Sequence, residues 1–435
     1  MKRVAALLLL AVPVLADQVA PPSNVVGGLR RAPLLGAAFA NAESAAIDAV
    51  IPGAPAEALG LRRGDVVVSV DGQPVASGAA VIAAVTKKRA GDPIVVVVRR
   101  GGETFTKETT LAPQPLERQA DYDIEYGSVD AGGAKRRVIV TRPRGAGKHP
   151  AVLFLGGIGC YPFDGLLRPP ELRAPYAKII DALTRAGYAT MRVEKSGMGD
   201  SEGPPCMDPR ADFDAEVRGY AAGLERLESL DFVDARNVFL FAHSIGPLAA
   251  ARIAANHPVR GIAVAETVGT SWMEYDLTNI RRQLLLGGMP YDEVDRSMRT
   301  RELCAHRFYV EKLTPQQLLA ADKACVHVVE TPQPYTYMQQ VASVDLGALW
   351  KKIDAPVLIF YGTADFITDR HQHEYLRDMI DAFHPGHATY VEIEGMDHGL
   401  TLAGTQKASF EGKAANAPFA QRIVDETLRF FDRLR

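Results

Sequence analysis

Cysteine is scarce, with four in 435 residues. That is too few for a small disulfide-stapled scaffold, and no Cys-x-x-Cys pair suggests zinc. Charge of one sign is also missing: Lys plus Arg total 49 against 52 Asp plus Glu, a formal net charge of -3. Such balance leaves no electrostatic footprint for nucleic acid or anionic lipid. Past the amino terminus no apolar run reaches the roughly 18 residues of a membrane helix. Internal repeats and low-complexity segments are absent too. With 47% apolar and 23% charged residues, the composition excludes disorder. What is left is a multidomain globular chain, with length for two or three domains at roughly 150 residues each.

The amino terminus sets the expected compartment. Lys2 and Arg3 precede an apolar run, 4–16, broken only by Pro13; it ends Val14-Leu15-Ala16 and gives way to Asp17-Gln18. This is the order of a secretory signal peptide, cleaved after Ala16. The run spans roughly 20 Å as helix, short of a ~30 Å hydrocarbon core, so it does not read as an anchor. The expected product is periplasmic or secreted, with no membrane span after cleavage.

From 30 to 113 the text reads as short strands around one helix. Strands are expected at 46–50, 66–70 and 94–99, a helical turn at 56–59, a tight turn at Asp71-Gly72 and a helix at 77–89. The string PGAPAEALGLRRGDVVVSVDGQPV resembles the centre of a PDZ domain, a small α+β fold. The resemblance implies a loop of backbone N–H groups that receives a peptide's terminal carboxylate while the peptide adds as a strand. By position the loop is Pro33 with Leu34, Leu35, Gly36 and Ala37. Residues 114–121, with Pro113 and Pro115 bracketing Gln114, read as an extended linker.

From 122 to 435 strands and helices alternate. Strands are expected at 123–129, 136–141, 151–155, 189–194, 238–242, 261–265, 357–361 and 389–393, with helices at 172–185, 213–228, 248–256, 371–383 and 418–434. This is the pattern of a doubly wound, mostly parallel α/β sheet. An insertion, 272–352, is amphipathic without a clear strand and reads as a helical lid.

The chemistry gathers at strand ends. Ala242-His243-Ser244-Ile245-Gly246 closes a strand and opens a helix, which presents a serine on a strained elbow; alanine replaces the first glycine of G-x-S-x-G. A hydroxyl needs a base, and the base needs an orienting carboxylate. The strand at 357–361 runs into Asp365, and the strand at 389–393 into His398. Asp369 is the rival acid, but Asp365 directly follows its strand. The order Ser244, Asp365, His398 is that of an α/β-hydrolase, and the chain from 121 onward resembles that class.

The resemblance implies Ser244 as nucleophile, His398 as general base and acid, and Asp365 as its carboxylate. Oxyanion donors would be the N–H groups of Ile245 and of Gly157, with Ile158 second; Leu155-Gly156 stands where the family often has His-Gly. Glu194-Lys195 replaces the usual Asp-x-Arg of a following turn, in which Ser196 and Ser201 read as turn residues. In the α/β-hydrolase sheet the strands before Cys160 and Cys206 are neighbours, which pairs those two cysteines; Cys304 and Cys325 pair within the lid. Each bridge would contribute about 3–4 kcal/mol in the chain-entropy model.

Other features read as bland. Asp397 is expected as a solvated loop residue, His243 as packing or surface, and His371-x-His373-Glu374 as a polar helix face, so neither metal nor cofactor is called. Trp272 and Tyr275 line an acyl pocket or pack the lid. The sequence thus predicts an exported serine hydrolase acting on a small ester-like molecule, with a peptide C-terminus as PDZ partner. The alternatives are an exported serine peptidase and a catalytically silent PDZ binding protein.

Overall fold

A computed structural model describes residues 23–41, 43–161, 163, 175–414 and 416–435. The expected signal peptide, 1–16, lies outside the described residues. The described residues divide into two compact units, the first holding those up to Arg118 and the second most of the rest. Among the described residues no helix is long and apolar enough to cross a membrane.

The first unit is built on a four-stranded sheet in the order Gln73–Pro74, Val66–Val70, Pro93–Arg100, Glu103–Thr110. Alternation explains its third strand: Ile94, Val96 and Val98 are fully buried while their neighbours are not. Ala37–Phe39 pairs with Ile47–Val50, and Pro33–Leu34 with Ala112–Pro113. The helix Gly78–Thr86 starts where the Ser77 hydroxyl accepts the Ala80 N–H at 3.1 Å, and it buries Val81 and Val85, one turn apart. Gln114 belongs to this unit rather than to a free linker, because its N–H donates to the Ala32 carbonyl at 3.0 Å and its side chain to that of Pro33 at 3.3 Å.

The longest of the strands not foreseen in this unit is an edge strand of the four-stranded sheet. Glu103–Thr110 pairs in full register with Pro93–Arg100. The two-residue link Gly101-Gly102 has both φ values positive, +56° and +94°, as the favoured hairpin turn demands. The strand carries little apolar signal, but the Gly-Gly between two runs was a legible hairpin sign.

The second unit is an eight-stranded sheet: β1 (Tyr122–Asp130), β2 (Lys135–Pro143), β3 (His149–Leu155), β4 (Ala189–Val193), β5 (Val233–His243), β6 (Gly261–Ala265), β7 (Val357–Gly362) and β8 (Ala388–Ile393). The spatial order is β1-β2-β4-β3-β5-β6-β7-β8. β2 meets β4 antiparallel, and from β4 through β8 every neighbouring pair is parallel. β4, β6 and β7 are buried along their whole length. Covered on both faces, they read as continuous apolar runs rather than alternating ones.

Five helices join or flank these strands: α1 (Pro175–Arg185), α2 (Phe213–Glu228), α3 (Gly246–Ala254), α5 (Arg370–Phe383) and α6 (Arg422–Leu434), numbered to leave α4 for the first helix of the insertion, Trp272–Leu286. The rest of the insertion is helical as well, including Tyr291–Ala305, a π-helical turn His306–Val310 and Tyr335–Ala342. A Cys304–Cys325 disulfide closes a loop inside it. Tyr275 is buried in the core and Trp272 packs beside it at 5.0 Å between rings, so both serve lid packing.

Candidate active site

Ser244 sits immediately after β5 with φ +62°, a backbone conformation that costs a non-glycine residue free energy and turns its side chain out of the strand. The turn is tight enough that a Cβ on Gly246 would stand 2.5 Å from the Leu155 carbonyl oxygen, so glycine is required there. At Ala242, fully buried in β5, the methyl group of alanine is accommodated. The departure from G-x-S-x-G therefore falls at the tolerant position.

The three residues separated by up to 154 positions in sequence meet at the sheet's carboxyl edge. Ser244 Oγ lies 2.9 Å from His398 Nε2, and His398 Nδ1 lies 2.9 Å from Asp365 Oδ2. Asp365 is completely buried and richly served with donors. Its Oδ1 accepts the Ile367 N–H at 2.6 Å and the Thr368 N–H at 3.1 Å, and its Oδ2 also accepts the Thr368 hydroxyl at 2.5 Å. Burial works against its charge, but His398 and these hydrogen bonds hold the carboxyl well below the usual carboxylate range. Asp369 is engaged elsewhere: it caps α5 by accepting the Gln372 N–H and pairs with Arg282 of the lid at 2.5 Å.

Asp397 is not the solvated residue expected. It is buried, and its Oδ1 accepts from the Gly399 N–H, the Thr401 N–H and the Thr401 hydroxyl while its Oδ2 accepts from Ser409. A loop that must hold a histidine steady needs its own anchors, and Asp397 supplies them locally, from residues two, four and twelve positions on.

His243 is likewise neither surface nor mere packing. Its Nε2 faces the His398 carbonyl at 2.9 Å and its Nδ1 the Tyr176 hydroxyl at 2.5 Å. Since a carbonyl only accepts, Nε2 carries the proton, Nδ1 is the acceptor and Tyr176 donates. Burial, then the neighbouring His398, pushes His243 down to about 3, so it is neutral at working pH.

The Gly157 side is tied to the same strut. The Gly157 N–H donates to the Tyr176 hydroxyl at 3.2 Å, and its carbonyl accepts from Lys195 Nζ at 2.8 Å. A Cβ on Gly157 would come within 3.2 Å of Ser244 Cβ, so this loop lies against the nucleophile. Lys195 is buried and paired with Glu216 at 3.2 Å, beside a buried Arg137–Glu194 pair at 2.9 Å. The Glu194-Lys195 turn therefore supports the loop through charge. Ser196 and Ser201 are hydrogen-bonded turn residues, to the Pro204 carbonyl and from the Arg137 N–H. A Cys160–Cys206 disulfide joins the loop after β3 to the one after β4. His373 is buried, accepts the Thr267 N–H at 3.0 Å and faces the Asp369 carbonyl at 2.7 Å.

In the first unit, Leu34, Leu35, Gly36 and Ala37 line an open apolar groove of about 230 Å³ together with Phe39, Val81, Ile82 and Val85. The Leu35 and Gly36 carbonyls are taken by the Ala56 and Ile51 N–H groups at 2.8 Å each. In a trans peptide the next N–H points the opposite way, so those of Gly36 and Ala37 face away from these contacts.

Residues 171–403, just over half of the chain, match the family described as "Serine aminopeptidase, S33", and residues 33–111 match the PDZ domain family. No curated protein matches the sequence. Similar solved structures include Est1E from Butyrivibrio proteoclasticus, 14% identical over 71% of this chain and 99% of that one, with a TM-score of 0.44. Carboxyl esterase 2 from the mycorrhizal fungus Tuber melanosporum is 15% identical over 73% of this chain and 88% of its own, TM-score 0.43. Pyrococcus horikoshii acylaminoacyl peptidase is 11% identical over 79% of this chain and 48% of its own, TM-score 0.44.

Proposed function

From a chain that belongs to the serine aminopeptidase family of α/β-hydrolases and carries a PDZ domain, we infer an exported serine hydrolase that cleaves a small ester-like substrate. The observation that carries this reading is the continuous hydrogen-bonded line from Ser244 Oγ through His398 to Asp365, 2.9 Å at each step. His398 Nε2 takes the serine proton as Oγ attacks the carbonyl carbon. The tetrahedral oxyanion is held by the Ile245 N–H and by the Gly157 N–H, which exchanges its Tyr176 partner for the substrate oxygen. His398 then gives the proton to the leaving alcohol, and water resolves the acyl-enzyme by the same steps in reverse. Ester hydrolysis leads because an alkoxide needs less leaving-group help than an amine.

Export is supported by the order of basic, apolar and small residues in 1–18 and by the two cystine bridges, which persist outside the cytosol. The PDZ groove would take an apolar peptide C-terminus, its carboxylate at the Gly36 and Ala37 N–H groups. The test is purified mature protein on acyl esters of graded chain length and on peptides, with a fluorophosphonate label mapped to its residue. Hydrolysis of short esters with the label on Ser244 supports the reading. Cleavage of peptides alone assigns the peptidase instead.

A further inference from the structure

β6 ends at Ala265, and the next residue is a carboxylic acid, Glu266, with φ +49° and no exposed surface. The mechanism above does not use it. It lies beside the one acid the mechanism does use: the Thr368 hydroxyl stands 2.5 Å from Asp365 Oδ2 and 3.5 Å from Glu266 Oε2, between the two carboxyls, and burial followed by the nearness of Asp365 pushes the Glu266 carboxyl well above its ordinary value. Room for it is left by Gly362 at the end of β7, where a Cβ would stand 2.6 Å from Glu266 Oε1.

Burial and then the nearby Asp365 oppose a negative charge on Glu266, and the Gly362 N–H gives only a smaller pull the other way. Oε1 finds no hydrogen-bond donor among the described residues. Oε2 lies 3.5 Å from the Thr368 hydroxyl, whose only proton is committed to Asp365 at 2.5 Å. His373 Nε2, 3.9 Å away, accepts the Thr267 N–H and so carries no proton. The other titratable groups that bear on it are Tyr361 of β7 and Asp397 of the loop after β8. Neither is a cation. A buried carboxyl in such surroundings keeps its proton, and two carboxyls gathered about one hydroxyl hold one negative charge between them. Asp365, with four donors including His398, keeps the charge.

We propose that Glu266 is a positioning residue: as the neutral acid it donates its proton in a hydrogen bond to the Asp365 carboxylate and so fixes that carboxylate toward His398. The proposal rests on the catalytic reading of Asp365 and His398 but makes a claim about Glu266 that can be read without turnover. The acid side of the site is then two carboxyls on neighbouring strand ends, one charged to orient the base and one neutral to orient the first.

Infrared spectroscopy with glutamate-specific isotope labelling reads the claim directly. Wild-type protein at about pH 8, far above an ordinary glutamate's pKa, should show a protonated-carboxyl C=O band that shifts on labelling. Absence of that band overturns the proposal, whatever the activity does. Kinetics supply the second reading. Glu266→Gln keeps a neutral donor and should retain kcat within about threefold with an unchanged pH profile. Glu266→Leu keeps bulk but not the donor and should lose roughly ten- to hundredfold in kcat at constant KM, the worth of one hydrogen bond to a charge. If Gln proves as damaging as Leu in folded protein, or shifts the pH profile, Glu266 acts as an anion and the inference is wrong. Should Ser244→Ala stay active, the catalytic reading fails while the infrared result still stands or falls alone.

Discussion

The PDZ groove and the surroundings of Ser244 are made of opposite materials. Among the described residues the groove has no charged side chain in its lining; it offers apolar side chains and the backbone of residues 33–37. Ser244 is surrounded by buried ionisable groups, among them Asp365, Glu266, His243, His373, Lys195 and Glu194. Backbone and apolar area can be supplied by many sequences. A buried charge is stable only with particular partners in place. Substitutions in the two regions should accordingly differ by orders of magnitude in their effect on turnover.

The largest effect belongs to Ser244→Ala, which should cut kcat by about 10⁶, as loss of a nucleophile does elsewhere, and abolish fluorophosphonate labelling. Labelled mutant protein with the probe on Ser196 or Ser201 would show the nucleophile misassigned. Next comes the acid. Asp365→Asn leaves His398 in the wrong tautomer and should cost up to about 10⁴ in kcat. Asp369→Asn keeps a capping oxygen for the Gln372 N–H and loses only the ion pair to Arg282, which points to a small Tm shift and less than about tenfold in rate. A reversal of those two rates would move the acid role to Asp369.

A smaller effect lies in the lid, at Asp276. Burial raises its carboxyl to about 6, although the Tyr309 hydroxyl donates to it at 3.1 Å. Its folded-state value is thus above the roughly 3.9 of an unfolded aspartate. The folded protein binds this proton more tightly, so its contribution to stability is present below pH ~4 and lost as pH rises toward 6. Asp276→Asn should raise Tm at pH 8 and do little at pH 4. Equal shifts at both pH values would mean that the carboxyl is ionised throughout.

The smallest effect on chemistry is expected at the groove. Ile82 lines it yet is 52% exposed, so Ile82→Glu should not disturb folding. Ester turnover should stay within about twofold, as for other surface substitutions, while capture of peptides with an apolar C-terminus is lost. Impaired turnover of a small soluble ester by this variant would join the two regions functionally and end the contrast drawn here.

The same contrast governs what could be read in advance. The strands β4, β6 and β7 were legible because a strand covered on both faces is an apolar run, while β1 and β8, partly buried at the sheet's edges, carry that signal only weakly. Ser244, Asp365 and His398 were legible because each follows a strand. Glu266 follows one too, directly after β6, and that strand-end rule would have picked it out. Tyr176 and His243 offered no such cue, since their roles exist only through partners far along the chain; Asp397 did offer one, a carboxylate two residues before Gly399 and four before Thr401, in reach of a local turn. In the PDZ unit, 103–110 was missed for the converse reason: an edge strand of Thr and Glu needs hydrogen bonds more than apolar faces, and only Gly101-Gly102 announced it.

The anchoring of the His398 loop has a consequence for the entropy of the reaction. Asp397 clamps the chain on one side of the histidine through Gly399 and Thr401, and His243 holds the His398 carbonyl itself. The backbone is therefore fixed before substrate arrives, and the freedom left to the residue is rotation of its imidazole. That rotation is in turn limited by Asp365 at Nδ1. Swinging between the serine oxygen and the leaving alcohol is then a small reorientation about a fixed axis, with the translational and conformational cost met during folding rather than at each turnover.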